Sequence, residues 1–106
     1  MKKQIRICST GDIRPGEARK VQVDPAIALF NVAGNYFAVA DLCTHAKASM
    51  SDGYLDEDAC TVECPLHGAI FSLKTGDALT QPATMPLEIF PVSVRDEDIF
   101  VDIEER

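Results

Sequence analysis

The sequence predicts an all-β protein, and three observations lead to this class. Several runs alternate polar and apolar residues with the period of a strand, as residues 4–8 (Gln-Ile-Arg-Ile-Cys) do. Turn sequences separate the runs, and Gly34-Asn35 between two apolar runs is typical of a β-hairpin. Helical patterns are weak, because six glycines and six prolines are spread over 106 residues and no long stretch has a 3.6-residue period. We therefore expect an antiparallel β-sandwich or a small barrel.

Six strands are expected outside the middle of the chain. They cover residues 4–8, 18–23, 26–32, 36–40, 87–95 and 98–103. Two hairpins are expected, one turning at residues 33–35 and the other at Asp96-Glu97. Pro91 has no N–H to donate, so it is expected to bend its strand or to place that strand at a sheet edge.

The middle of the chain differs from its ends. Between residues 41 and 86 turn-forming residues are dense, with Ser51-Asp52-Gly53 and Thr75-Gly76-Asp77 as examples. The length suits one domain with a modest core. We expect a single domain over residues 1–106, in which a β framework (about 1–40 and 87–106) carries a loop-rich subdomain (about 41–86).

Composition and charge exclude several classes of partner. The chain has a formal charge of −7, which disfavours nucleic acid as a partner, because phosphate binding needs basic surface. Its apolar runs are far shorter than the roughly 20 residues of a membrane helix, so no membrane is expected. No secretory signal is visible, and a reducing cytoplasm is expected, where the four cysteines are ligands or thiols and not disulfides.

The loop-rich middle contains both histidines of the chain, each close behind a cysteine. The pairs are Cys43-Thr44-His45 and Cys64-Pro65-Leu66-His67, spacings that place each pair on a loop. Thiolate and imidazole bind iron and zinc tightly, so the alternatives are residues without a chemical role, a Cys2His2 zinc site, or a diiron–sulfur centre with mixed ligands. Zinc fingers place their histidines together on one helix, whereas here each loop supplies one ligand of each type. The iron–sulfur interpretation is therefore favoured.

Around these pairs the sequence resembles the Rieske ferredoxins of bacterial aromatic-ring-hydroxylating dioxygenase systems, such as those for biphenyl, naphthalene and carbazole. The resemblance is carried by Cys-Thr-His-Ala-Lys-Ala-Ser-Met-Ser-Asp-Gly (43–53) and Glu-Cys-Pro-Leu-His-Gly-Ala-Ile-Phe (63–71), followed by Thr75-Gly76. It spans the whole chain. Ala46 departs from the family, which usually has glycine after the first histidine, but this change removes no ligand.

The resemblance implies a Rieske-type antiparallel β-sandwich with a cluster-binding subdomain and one [2Fe-2S] cluster. Cys43 and Cys64 would bind the inner iron, and His45 and His67 the outer iron. The protein would be a monomeric cytoplasmic electron carrier, not an enzyme. It would pass one electron from an NADH-dependent flavoprotein reductase to the terminal oxygenase of an aromatic-ring dioxygenase. The alternative is a Rieske-like small subunit of a larger redox enzyme such as nitrite reductase, although those subunits commonly lack the ligands.

The resemblance also predicts a low reduction potential. The high-potential Rieske proteins of respiratory complexes carry a loop–loop disulfide and hydroxyl groups that hydrogen-bond the cluster. The matching disulfide positions here are Ala48 and Leu66, and the hydroxyl positions are Ala69 and Phe71. All four are apolar. Fewer hydrogen-bond donors therefore stabilise the reduced cluster, and we expect a reduction potential of about −150 mV.

The remaining residues of interest have simpler interpretations. Cys8 and Cys60 are expected to be buried structural cysteines, with Cys60 on a strand that leads into the second loop; exchange of Cys60 into the cluster is the alternative. Apolar residues of the middle segment either cap the cluster or form a docking tip beside the histidines. The candidates are Met50, Leu66, Pro82 and Pro86.

Overall fold

The computed structural model describes residues 2–23, 25–43, 48–66, 68–80 and 85–104. Within these ranges the strands are β1 (Lys2–Ser9), β2 (Ala18–Val21), β3 (Ile27–Val32), β4 (Asn35–Ala40), β5 (Tyr54–Asp56), β6 (Thr61–Glu63), β7 (Ile70–Ser72), β8 (Ile89–Phe90), β9 (Val92–Arg95) and β10 (Asp98–Glu104). The helical elements of these ranges are two 3-10 turns, Thr10–Asp12 and Met50–Asp52. In the same ranges we find no helix with the length and apolar character to cross a membrane.

The strands form three antiparallel sheets. The first sheet has the order β1-β10-β9, the second has the order β2-β3-β4-β8, and the third has the order β5-β6-β7. Every pairing between these strands is antiparallel. The all-β prediction is confirmed.

The second sheet separates two buried cores. Strand β3 is buried along its whole length, and its side chains alternate between the two sides. Ala28 and Phe30 belong to the core shared with the third sheet, whereas Ile27 and Leu29 belong to the core shared with the first sheet. Burial on both faces explains why this strand reads as a continuous apolar run.

Both expected hairpins are present, each with a two-residue turn. Ala33 and Gly34 form the first turn with φ of 51° and 92°, and Asn35 already pairs with Val32 as the first residue of β4. The second turn consists of Asp96 and Glu97, with φ of 50° and 70°. Positive φ at both positions is the geometry that suits the twist of a tight hairpin.

Pro91 divides the strand that the sequence predicts at residues 87–95. Before it, β8 forms an edge of the second sheet, and after it, β9 forms an edge of the first sheet. The proline therefore lies where the chain passes from one sheet to the other. Both flanking strands are at sheet edges, where no ladder hydrogen bond from a proline N–H is required.

The third sheet is the part of the fold that the sequence did not reveal. Its three strands have three residues each, too short for a visible alternation among dense turn residues. The expectation that Cys60 lies on a strand is wrong, because β6 begins at Thr61 and Cys60 is in the preceding turn with φ of 56°.

Candidate metal centre

Cys43 and Cys64 each begin a loop that is closed in the same way. The amide of Cys43 donates to the carbonyl of Ala48 at 3.0 Å, and the amide of Cys64 donates to the carbonyl of Ala69 at 2.8 Å. We call residues 43–48 the first loop and residues 64–69 the second loop. In each loop the cysteine is fixed at the base by its own backbone, five residues before the residue that closes the loop.

The predicted ligands His45 and His67 fall within these two loops by sequence, but both lie outside the described residues. Their assignment as ligands therefore stays a prediction. The described residues contain no group of three or more histidine, cysteine or acidic side chains placed to hold a metal ion. Of the four predicted ligands, the described residues include the two cysteines, Cys43 and Cys64.

The ends of each loop are held by backbone pairing, which differs between the two loops. An isolated bridge between Leu42 and Ser49 closes the first loop, next to a hydrogen bond of 2.6 Å from the amide of Met50 to the carbonyl of Asp41. The second loop connects β6 to β7, where Glu63 pairs with Ile70. Both loops therefore leave and re-enter paired backbone, which fixes where their cysteines lie.

Gly68 shapes the second loop through its backbone conformation. Its φ is 71°, and its amide donates to the carbonyl of Cys64 at 3.1 Å. Among the described residues outside its chain neighbours, a Cβ at this position would meet the carboxylate of Glu63, at 3.8 Å, which is an ordinary contact distance. Glycine is suited here because residues with a Cβ rarely adopt this φ.

The two loops bring their cysteines into one buried core. Cys43 is 4% exposed and Cys64 is 1% exposed, and both belong to the core between the second and third sheets. All four cysteines of the chain are in the described part, and none forms a disulfide. Two thiols at the bases of two similar loops are a donor set that fits the sulfur side of an iron–sulfur cluster.

Asp41 places a buried carboxylate beside the first loop. Its Oδ1 accepts a hydrogen bond of 3.0 Å from the amide of Ser51, and the Nζ of Lys20 lies 3.6 Å from its Oδ2. Burial raises the pKa of Asp41, but hydrogen bonds from Ser51 and Ser49 and the charge of Lys20 outweigh this effect and hold the pKa below its ordinary value. The importance of this carboxylate was not visible in the sequence, because its partners lie on β2 (Lys20) and on the far side of the first loop (Ser49 and Ser51).

The other two cysteines are also buried, but neither is at the base of a loop. Cys8 packs in the core between the first and second sheets, and Cys60 packs in the same core as the two candidate ligands. The carbonyl of Cys60 accepts a hydrogen bond of 3.0 Å from the amide of Leu73. Burial raises the pKa of both thiols, which favours the protonated form at neutral pH.

The exposed apolar residues in and beside the middle segment differ from the set that the sequence suggests. Met50 is fully buried, so it cannot be part of a docking tip. Leu66 is 62% exposed and Pro86 is also exposed, while Pro82 lies outside the described residues. Leu42 and Met85 are each 63% exposed and were not among the residues that the sequence indicated.

Comparison with known proteins decides the family. Residues 3–91 match the model of the Rieske [2Fe-2S] domain. The chain belongs to the Rieske family. A Rieske domain carries one [2Fe-2S] cluster held by two cysteines and two histidines, so the cofactor expected from the sequence is confirmed.

The Rieske chain is also similar to named ferredoxins over nearly its whole length. It is 54% identical over 102 residues to the 3-phenylpropionate/cinnamic acid dioxygenase ferredoxin subunits of Shigella boydii and Escherichia coli K12, covering 96% of this chain and 95% of theirs. Among solved structures, the Sphingomonas yanoikuyae B1 ferredoxin has a TM-score of 0.88 and 35% identity, covering 96% of this chain and 100% of that chain.

A chain from the complex of reduced oxygenase and oxidized ferredoxin in carbazole 1,9a-dioxygenase has a TM-score of 0.89 and 35% identity. The match covers 97% of the Rieske chain and 95% of that chain. The protein is therefore a Rieske ferredoxin, an electron carrier and not an enzyme.

Proposed function

We propose that this Rieske ferredoxin carries single electrons from an NADH-dependent flavoprotein reductase to the terminal oxygenase of an aromatic-ring dioxygenase. The observation that carries the proposal is the 54% identity to dioxygenase ferredoxin subunits over 96% of the chain. It favours the free ferredoxin over the alternative of a nitrite reductase small subunit. We further propose that the protein is a cytoplasmic monomer whose 106 residues form one domain.

Four residues are proposed to hold the cluster. Cys43 and Cys64, buried at the bases of the two loops, would bind the inner iron. His45 and His67, two and three residues further along their loops, would bind the outer iron. When bound, the cluster accepts and releases one electron. The protein would hold the cysteine-bound side of the cluster in the core. It would leave the histidine-bound side near a surface that a partner protein can reach.

The surface beside the loops suits brief docking. Leu42 precedes Cys43 and Leu66 follows Cys64 by two residues, and both side chains are more than half exposed. The formal charge of −7 would raise the rate of encounter with a basic partner face, and a small apolar contact releases the partner quickly after electron transfer. We propose this surface as the contact with both reductase and oxygenase in turn.

Reconstitution tests the proposal. The purified protein is reduced with dithionite, and its EPR spectrum is recorded; mixed nitrogen and sulfur ligation lowers the average g-value below that of an all-cysteine cluster. It is then added to NADH and the reductase and oxygenase components of a 3-phenylpropionate dioxygenase system. We expect a Rieske spectrum and substrate oxidation that depends on this protein.

Two results would contradict the proposal. A colourless protein that contains zinc would remove the electron carrier altogether. A protein with a Rieske spectrum that is isolated only as a tight subunit of a larger reductase, and transfers no electrons to an oxygenase, would favour the small-subunit alternative. Light scattering of the purified protein distinguishes a monomer from such an assembly.

A further inference from the structure

We propose that Asp41 is a positioning residue of the cluster site, and that its buried carboxylate lowers the reduction potential of the [2Fe-2S] cluster. The inference rests on the proposed function, because it takes Cys43 to be a ligand. Asp41 lies two residues before Cys43 and is 2% exposed. Within the described ranges it is the only buried side chain that carries a formal charge.

The positioning role follows from the contacts of Asp41 across the base of the first loop. Its backbone carbonyl accepts the amide of Met50 at 2.6 Å, and its carboxylate accepts the amide of Ser51 at 3.0 Å. Its own amide donates to the carbonyl of Ala26 at 2.9 Å, just before β3. Asp41 thus joins three parts of the backbone: the residues just before the first loop, the residues just after it, and the residue just before β3 of the second sheet.

The charge of Asp41 is only partly balanced. The Nζ of Lys20 is 3.6 Å from Oδ2 and also donates to the hydroxyl of Ser49 at 3.3 Å. The side chain of Lys20 is 43% exposed, whereas that of Asp41 is 4% exposed. Water and salt therefore screen the positive charge of Lys20 far more than the negative charge of Asp41. A net negative field remains in the protein interior.

This field acts on the cluster at short range. The Cα atoms of Asp41 and Cys43, two residues apart, lie at most about 7 Å from each other, and salt screens a buried charge much less than an exposed one. Reduction adds one negative charge to the cluster. A fixed negative charge nearby makes that addition less favourable, so the reduction potential is lower with Asp41 than without it.

Opposite shifts in two variants test the inference on the holoprotein. Asp41→Asn keeps the size of the side chain and removes its charge, and we expect the equilibrium constant for reduction to rise about threefold to tenfold, equivalent to about 30 to 60 mV at 59 mV per tenfold. Lys20→Met removes the screened positive charge, and we expect a fall of about twofold, equivalent to about 20 mV. Potentials are measured by protein-film voltammetry.

Lys3→Met is the matched control. Lys3 is exposed on β1, in the sheet on the other side of the second sheet from the loops, so removing its charge is expected to change the potential less than Lys20→Met does. A purely structural role for Asp41 would disturb the EPR g-values of the reduced protein. An electrostatic role shifts the potential and leaves the g-values in place.

The outcomes separate this inference from the proposed function. A wild-type protein without a Rieske EPR signal defeats the proposed function, and this inference with it. A normal signal, with an Asp41→Asn potential unchanged or lowered, overturns the inference alone. If Asp41→Asn does not retain its cluster, the Lys20→Met potential decides: a fall larger than that of Lys3→Met supports the inference, and a fall no larger than that of Lys3→Met overturns it.

Discussion

Gly53 packs directly against the backbone of Glu63. A Cβ at Gly53 would overlap the carbonyl oxygen of Glu63 and would lie 3.0 Å from both the carbonyl oxygen of Met50 and Cγ2 of Val62. Gly53 follows the first loop, and Glu63 immediately precedes Cys64. Because Gly53 has no side chain, the segment that follows the first loop and Cys43 can pack against β6, the strand that leads into Cys64.

Gly53→Ala is expected to destabilise the protein by about 1 to 3 kcal/mol, because backbone atoms have to move to make room for the methyl group. For a domain of this size the melting temperature of the holoprotein should fall by at least about 4 °C in circular dichroism. Cluster content per protein should also fall, since the strain lies between the two loops.

Gly11→Ala is the control for this substitution. Apart from its chain neighbours, no atom of the described residues lies within 4 Å of a Cβ built at Gly11, so this variant should melt within about 2 °C of the wild type. Equal stability of the two variants would contradict the interpretation of the contact between Gly53 and Glu63.

The assignment of the sulfur ligands is tested by two buried cysteines of the same core. Cys64→Ala should abolish the EPR signal of the reduced protein, because one iron loses a ligand. Cys60→Ala should keep the signal, since Cys60 precedes β6 in a turn and is not at the base of a loop. A normal signal in Cys64→Ala, or its loss in a folded Cys60→Ala protein, would exchange the two assignments.

The two loops could be predicted from the sequence because their chemistry is local. Cys43 to His45 and Cys64 to His67 are short spacings, and few functions need that set of side chains. The burial of β3 on both faces could likewise be predicted, because its residues form a continuous apolar run in the sequence. The role of Asp41 could not be predicted, because its contacts with Lys20 and Ser51 form only when the chain is folded.

The third sheet was hidden for a related reason. Strands of three residues have no period to detect, and they are stable here because Val62 and Phe71 pair across β6 and β7 and are both fully buried. The turn at Cys60 with a positive φ was also unpredictable, since cysteine has no preference for that conformation.

The surroundings of Cys64 support a low reduction potential, of about −150 mV. Ala69 closes the second loop and Phe71 follows it; both are fully buried, and neither side chain has a hydroxyl to donate. Ala69→Ser adds one small donor and should raise the potential, because a hydrogen bond to the cluster stabilises its reduced form. Voltammetry of both proteins checks this. A wild-type value above about +100 mV, or a lower value in Ala69→Ser, would contradict the argument.

The turn at Asp96 and Glu97 offers a stabilising substitution. Glu97 has φ of 70°, which costs a residue with a Cβ about 1 kcal/mol relative to glycine. Glu97→Gly should therefore raise the melting temperature by about 4 °C or more. The backbone carbonyl of Glu97, which accepts the amide of Thr10 at 2.9 Å, is kept. Glu97→Ala keeps the Cβ and should give no comparable gain; an equal gain would show that the side chain, not the backbone, is responsible.

Cys8 should make stability depend on alkaline pH. Burial raises the pKa of its thiol, an effect that the charges of Arg19 and Arg6 offset only in part. Because the unfolded thiol ionises more readily than the folded one, the contribution of Cys8 is complete below the ordinary thiol pKa of about 8.5 and is lost as pH rises through the folded pKa. Cys8→Ala leaves a small cavity but removes this titration. The difference in unfolding free energy between wild type and Cys8→Ala, measured with urea in the presence of a reductant, should therefore shrink as the pH rises from about 8.5 to about 10.5. A difference that stays constant over this range would show that Cys8 does not titrate differently in the folded protein.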